Sequence, residues 1–355
     1  MFHLEEGVTR RVARSLLALT TAAVVTFGVA ACGSSDDSSG SSGGSDGGGA
    51  AAVQTSDDVS GKKVILLTVT PQCDYCARAT RAFEETAKRA GLVVEKKITN
   101  YDAAEQADQV NQAIAQRPDA IAYWPADATA SIPSLNRMKA ARVPVIVTNS
   151  SPGERYSDLF NAFTGPNDTR LGELAAEGLI RGLEEKNGRA EGNIFVVGGQ
   201  PGSPPAIQRL EGFERTLAER APGIRIVGNQ PGNWDQTQAT TAADGLFTAN
   251  AGKNIVGVYA QADNMAAGVI VSAKRKGLDP RRLVIVGGNC QPEGLRNIRS
   301  GEQYSSVLQS PLDDGRLAAE AVVNVLSGRD QEHNDYLPAE VIVRENLATC
   351  AEGVG

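Results

Sequence analysis

The 355-residue chain carries 35 Lys and Arg against 42 Asp and Glu, a net charge of −7 that argues against a nucleic-acid partner. Its 41% hydrophobic and 22% charged residues are those of an ordinary soluble protein. There are two histidines, His3 and His333, so a His-based triad or zinc site has almost no material, and neither metal nor cofactor is expected.

The chain opens with a targeting pattern. Arg10, Arg11 and Arg14 precede an apolar run from Leu16 to Ala31 that is too short and too rich in Ala and Thr for a membrane span. The run ends Val29-Ala30-Ala31-Cys32, which resembles a bacterial lipoprotein signal. In such signals the cysteine is lipidated and becomes the first mature residue. Cys32 is therefore expected to carry lipid and to hold the protein at the outer face of the cytoplasmic membrane, touching it through the anchor only. An ordinary secretory signal is the alternative, and the Arg10-Arg11 pair leaves twin-arginine export open. Gly33 to Ser60 is nearly all Gly, Ser and Asp, a composition that buries no core and reads as a flexible tether of roughly 30 Å reach. Gly43-Gly44-Ser45-Asp46-Gly47 matches the hydrolase pattern GxSxG, but no strand precedes it and no helix follows, so the match is chance.

Lys63 to Val69 reads as the first strand, followed by the loop Thr70 to Cys76 and a helix with Ala79, Phe83, Ala87 and Ala90 on one face. Next come a strand at Leu92–Ile98, a helix at Asp102–Arg117, and a strand at Ala120–Trp124. Asp127 follows as a helix cap in its loop; strands are expected at Pro144–Val147 and Phe160–Thr164. Gly165-Pro166 reads as a break and a crossing into a second lobe. That lobe continues with a helix after Asn167, a strand at Ile194–Val197, a Gly/Pro loop, a helix carrying Arg209, a strand at Arg225–Val227, and Trp234 before a helix from Asp235. A strand at Ile255–Tyr259 leads to Asp263, expected as the cap of a helix that Gly277 closes. Ser305–Leu308 runs into Gln309-Ser310-Pro311 and a helix from Asp313 to Leu326; Glu340–Val343 is the last strand.

The order of these pieces repeats. AFEETAKRAGLVVE (82–95) and GFERTLAERAPGIRIV (212–227) each read as an amphipathic helix leading to a strand, and VPVIVTNS (143–150) matches LVIVGGNC (283–290), pairing Asn149 with Asn289. The expected fold is α/β: two similar Rossmann-like lobes with parallel sheets, facing each other across a cleft. In such sheets ligands bind outside the carboxyl ends of the strands, where Asp263 is expected.

Beyond Cys32 there are four cysteines, Cys73, Cys76, Cys290 and Cys350, which allow three pairings in an oxidising compartment. Cys73–Cys76 with Cys290–Cys350 is favoured, because Cys290 and the last strand belong to one lobe. A pairing of Cys73 or Cys76 with Cys290 would tie the lobes together.

From about residue 62 to 350 the chain resembles the type I periplasmic binding proteins of sugar transporters, the ribose-binding-protein family. The resemblance rests on VYAQADNMAAG (258–268), IVGGN (285–289), RLEGF (209–213), Gln309 after a strand, and EVIVREN (340–346). It implies two lobes joined by three crossovers, spanning 61–165 plus 310–337 and 166–309 plus 338–355, behind the signal (1–32) and tether (33–60). It also implies capture of a small sugar or polyol for an ATP-driven (ABC) permease by a monomer, and no enzymatic activity. The ligand set it implies is Gln72, Tyr75, Asn149, Arg209, Trp234, Asp263, Asn289 and Gln309, with Trp124 and Asp74 as further candidates. Ser150 stands where a sugar-clamping Arg is common, Ala262 where Asn is frequent, Asn149 and Asn289 where Asp is usual, and Cys76 where an aromatic stacks. The pocket is thus expected to be less charged than a ribose site.

The residue types support the same ligand class directly. Aromatic rings cover the flat C–H faces of a sugar, and planar Asn, Gln, Arg and Asp groups bond its rim of hydroxyls. Two rivals share the chemistry or the fold. A sensing role for a chemoreceptor or membrane kinase uses the same binding site. The effector-binding part of a lactose-repressor-type regulator is excluded by the export signal and by the lack of a basic helix-turn-helix segment. A third rival is a thiol-disulfide redox protein using Cys73 and Cys76 at a helix start.

Overall fold

A computed structural model describes residues 58–354. The signal, Cys32 and the tether as far as residue 57 lie outside the described residues. The tether expectation extends slightly too far: Val59 is 3% exposed and packs in the core with Leu92 and Phe83.

The first sheet is built from β1 (Lys63–Val69), β2 (Val93–Thr99), β3 (Ala120–Tyr123), β4 (Val145–Thr148), β5 (Ala162–Gly165) and a late strand that returns to its edge. Between them run α1 (Asp74–Arg89), α2 (Ala103–Ala115) and α3 (Ile132–Ala140). The second sheet holds β6 (Gly192–Gly198), β7 (Ile224–Pro231), β8 (Ile255–Ala260) and β9 (Val284–Val286), interleaved with α4 (Asp168–Asn187), α5 (Pro204–Arg220), α6 (Gln236–Ala249) and α7 (Asp263–Arg275). After α8 (Pro292–Ser300) and β10 (Ser306–Val307) the chain re-enters the first sheet's side through α9 (Pro311–Ser327) and β11 (Asn334–Tyr336). It then returns as β12 (Val341–Ile342) and ends in α10 (Leu347–Val354). The strand order is β11-β5-β4-β3-β1-β2 in one sheet and β7-β6-β8-β9 in the other, all parallel. The chain passes between the two sheets three times, which makes two lobes of one α/β design.

Alternation on the central strands explains why helices cover both faces. In β1, Val64 and Leu66 face one core while Ile65 and Leu67 face another; in β6, Ile194 and Val196 oppose Phe195 and Val197 in the same way. Helix starts follow local chemistry. Asp102, Asn167, Asp235 and Ser310 each accept a backbone N–H of the first turn that follows.

Several expectations are corrected. β10 and β12 pair antiparallel, because the returning chain runs back along the strand it left. β11 and α10 have too little periodicity to be read from sequence; β11 exists through its pairing with β5. Asp263 is the first residue of α7 rather than its cap, which is Ala262. Asp127 accepts from Ala130 N in the turn ahead of α3, whose own cap is Ser131.

Two close helix contacts position the site. A Cβ on Gly315 of α9 would sit 2.0 Å from the Ala79 carbonyl oxygen of α1, so only glycine lets these helices touch backbone to backbone. In the second lobe Gly172 of α4 and Gly212 of α5 do the same for the other helix pair, against the carbonyls of Arg209 and Thr169. Among the described residues no helix is long and apolar enough to cross a membrane.

Candidate ligand-binding cleft

The loops at the carboxyl ends of both sheets converge on a cavity of ≈ 360 Å³. Gln72, Tyr75, Trp124 and Asn149 reach it from the first lobe, Arg209, Trp234 and Asn289 from the second, and Gln309 from a crossover. Larger hollows of ≈ 500 to 590 Å³ lie elsewhere on the surface, two of them along α6 and none with a tryptophan.

Arg209 is placed by the tight α4–α5 contact, which brings Asp168 beside it. Its Nε donates to Asp168 Oδ1 at 2.7 Å, Nη1 to the Gln261 carbonyl at 2.8 Å and to Asn289 Oδ1 at 2.9 Å, and Nη2 to Gln309 Oε1 at 2.9 Å. A guanidinium has five N–H groups, so one remains for a ligand. The residue is 5% exposed and belongs to the floor of the cavity rather than to a solvated helix face. Burial raises the Asp168 carboxyl and the Arg209 charge opposes that rise.

On the first-lobe side the bonds continue from Gln309. Its Nε2 donates to the Tyr75 hydroxyl at 3.0 Å, and that hydroxyl donates to Asp314 Oδ2 at 2.9 Å. Asn149 Nδ2 donates to the same Asp314 oxygen at 2.6 Å. Asp168, Arg209, Gln309, Tyr75, Asp314 and Asn149 therefore form one continuous hydrogen-bonded chain under the cavity. Burial, with the adjacent Asp314 charge, pushes the Tyr75 hydroxyl well above its usual range; burial likewise raises Asp314 to about 7. Asn149 and Asn289 both adopt positive φ, 64° and 79°, a conformation Asn tolerates better than most residues.

The aromatic groups divide. Trp234, at φ 60°, lines the cavity with the Arg209 guanidinium carbon 5.3 Å from its ring centre. Trp124 is 7% exposed and meets Tyr75 edge-on at 6.2 Å, so much of its surface is spent on packing.

Asp263 is the misplaced candidate. It is fully buried and does not line the cavity; Oδ1 accepts from Gln303 Nε2 at 2.6 Å, and Oδ2 accepts from Ser306 Oγ at 2.8 Å and Gln291 N at 3.0 Å. Its carboxylate turns away from the cleft and pins the β9–α8 loop to α7. Sequence reasoning also passed over Asp168 and Asp314, which stand in the first turns of their helices and look like ordinary dipole-facing acids. The cysteines are joined 73 to 76, where Cys73 caps α1 at the cavity rim, and 290 to 350, fully buried between the β9–α8 loop and α10. Among the described residues no group of acids, cysteines and histidines is arranged to hold a metal.

A cleft between two parallel α/β lobes, floored by a buried polar chain and faced by aromatic rings, defines a binding protein of the type I periplasmic class. The chain belongs to the periplasmic binding protein domain family, whose model matches residues 64–330; its members are substrate-binding transport proteins that work outside the cytoplasm and are not enzymes. It is 28% identical over 237 residues to the galactofuranose-binding protein of Escherichia coli, covering 66% of this chain and 73% of that one. It is 26% identical over 298 residues to the xylitol-binding protein of Mycolicibacterium smegmatis, covering 83% and 81%. The crystal structure of an ABC transporter periplasmic solute binding protein from Actinobacillus succinogenes with bound D-allose superposes with a TM-score of 0.73 at 25% identity, covering 81% of this chain and 99% of that one.

Proposed function

We propose that the protein captures a neutral sugar or polyol in this cleft and delivers it to an ABC permease. On this reading it is a monomer held at the membrane by lipid on Cys32, with lobes divided at 61–165 plus 310–337 and 166–309 plus 338–355. The observation that carries the reading is the pairing of two chemistries in one cavity. Trp234, Trp124 and Tyr75 offer ring surface, while Asn149 Oδ1, Asn289 Nδ2 and the last Arg209 N–H are left without protein partners among the described residues. Hydroxyls that both donate and accept match that set. The charge balance disfavours anions. Asp74, Asp127, Asp235 and Glu293 line the cavity, and its arginine is already neutralised by Asp168.

A thermal-shift panel of pentoses, hexoses, polyols and cyclitols tests the reading, with amino acids and a sugar acid as controls. Binding only to the folded form raises stability by about 2.7 kcal/mol at one hundred times the dissociation constant, a rise of several degrees. A shift with an amino acid or sugar acid and none with a neutral hydroxylated compound would sink it.

A further inference from the structure

Asp314 is the one acid of the buried chain that faces no cation: among the described residues it takes part in no ion pair, is 1% exposed, and receives only neutral donors. Two of those donors, the Tyr75 hydroxyl and the Asn149 amide, converge on a single oxygen. A carboxylate accepts and does not donate, so the Asn149 amide group must turn its N–H toward Asp314 and leave Oδ1 for the cavity. The Arg209 guanidinium imposes the opposite orientation on Asn289, whose Oδ1 it holds, leaving the N–H groups of Nδ2 for the ligand. The two asparagines, equivalent in the two lobes, thus present opposite hydrogen-bonding faces.

We propose that Asp314 is a positioning residue. It fixes Asn149 as an acceptor and Tyr75 as the bridge to Gln309, and so sets which ligand hydroxyl must donate to the first lobe. The proposal rests on the cleft being the binding site and adds the polarity of its first-lobe edge. The Gly315 contact seats α9 directly on α1 and so holds Asp314 against Tyr75.

The charge of Asp314 then matters to binding. The ionisable groups around it are Tyr75 on α1, Asp168 on α4 whose charge opposes its ionisation, Arg209 on α5 acting through Tyr75, and Asp313 on its own helix, which is paired with Arg316. Of the strands packed against α9, β4 and β5 bring no acid or base, and Tyr123 of β3 packs on the other side of the sheet; Leu347 to Cys350 of α10 bring none. Burial raises Asp314 to about 7, so lowering the pH through that value removes the charge that orders both donors.

The test uses the full mature protein, its D314N variant, and the exchanged pair N149D/D314N, which moves the carboxylate to the cleft edge and the amide behind it. The probes are xylitol, myo-inositol and D-allose. The Asn149 side-chain amide, assigned by its loss in Asn149→Ser, is followed by NMR from pH 5.5 to 8.5. Expected in the parent protein is an amide signal that titrates with a midpoint near 7, absent in D314N, together with tighter probe binding at pH 8 than at pH 6. D314N should bind about tenfold more weakly at pH 8, with a flat pH profile, and the exchanged pair should recover to within about threefold of the parent. An amide signal that titrates while no probe binds upholds the positioning role and defeats the sugar reading instead. A non-titrating amide overturns the proposal. So does a folded D314N with parental affinity and pH profile, or a loss in D314N that the exchanged pair leaves unrepaired.

Discussion

Arg209 Nε lies 2.7 Å from Asp168 Oδ1, and both side chains are only 6% exposed. The pair is buried because glycines at 172 and 212 let α4 and α5 meet without side chains between them. Removing one partner strands the other as an unpaired buried charge. Arg209→Ala should therefore lower unfolding free energy by about 3–5 kcal/mol as well as weaken ligand binding. Urea denaturation checks it; a midpoint within error of the parent protein would mean that the pair is not held as described.

Tyr75→Phe removes the hydroxyl that links Gln309 to Asp314 while keeping the ring against Trp124. One donor of Asp314 and one acceptor of Gln309 are lost, at about 1–3 kcal/mol. Calorimetry should show a lowered melting temperature and weaker sugar binding, with the same circular dichroism. Unchanged affinity would detach the polar chain from ligand recognition.

Stability should fall as pH rises from about 4 to about 7. Burial lifts Asp263 and Asp314 from 3.8 to about 7, so between those values the folded chain holds protons that the unfolded chain has released. The contribution is complete below the unfolded value and lost as pH rises through the folded one, on the order of 1–4 kcal/mol for each group. Denaturant midpoints at pH 5 and pH 8 measure it, and a flat profile across that range refutes it. D263N should remove its own share of the slope while lowering stability, since the new amide N–H would meet the donors Gln303, Ser306 and Gln291.

Cys290 and Cys350 close a loop with a sequence separation of 60, and both are fully buried. Cys350→Ser should cost about 4 kcal/mol in the chain-entropy account. Cys73–Cys76, at the cavity rim, has a sequence separation of only 3, so its removal should cost less. Melting curves of the two single variants, with and without reductant, rank them; an equal loss would contradict the loop-length argument.

The sequence by itself carried the fold. Short continuous apolar runs at Lys63–Val69 and Ile255–Ala260, helix caps such as Asn167 and Asp235, and the paired order of elements in the two halves are local signals, and each element they announce is present. It also brought Gln72, Tyr75, Trp124, Asn149, Arg209, Trp234, Asn289 and Gln309 to notice, all of which line one cavity, because strand-end loops of a parallel sheet share one edge. What it left undecided was burial and partner. Asp263 at a strand end and Asp314 in a helix's first turn carry the same local signature as a ligand acid and a solvated cap. Yet one is locked beneath the β9–α8 loop and the other is pressed against Tyr75 by a glycine contact 240 residues away in sequence from that tyrosine. Whether a carboxylate meets water, a ligand or another side chain depends on which helices touch, and only the tertiary structure decides that.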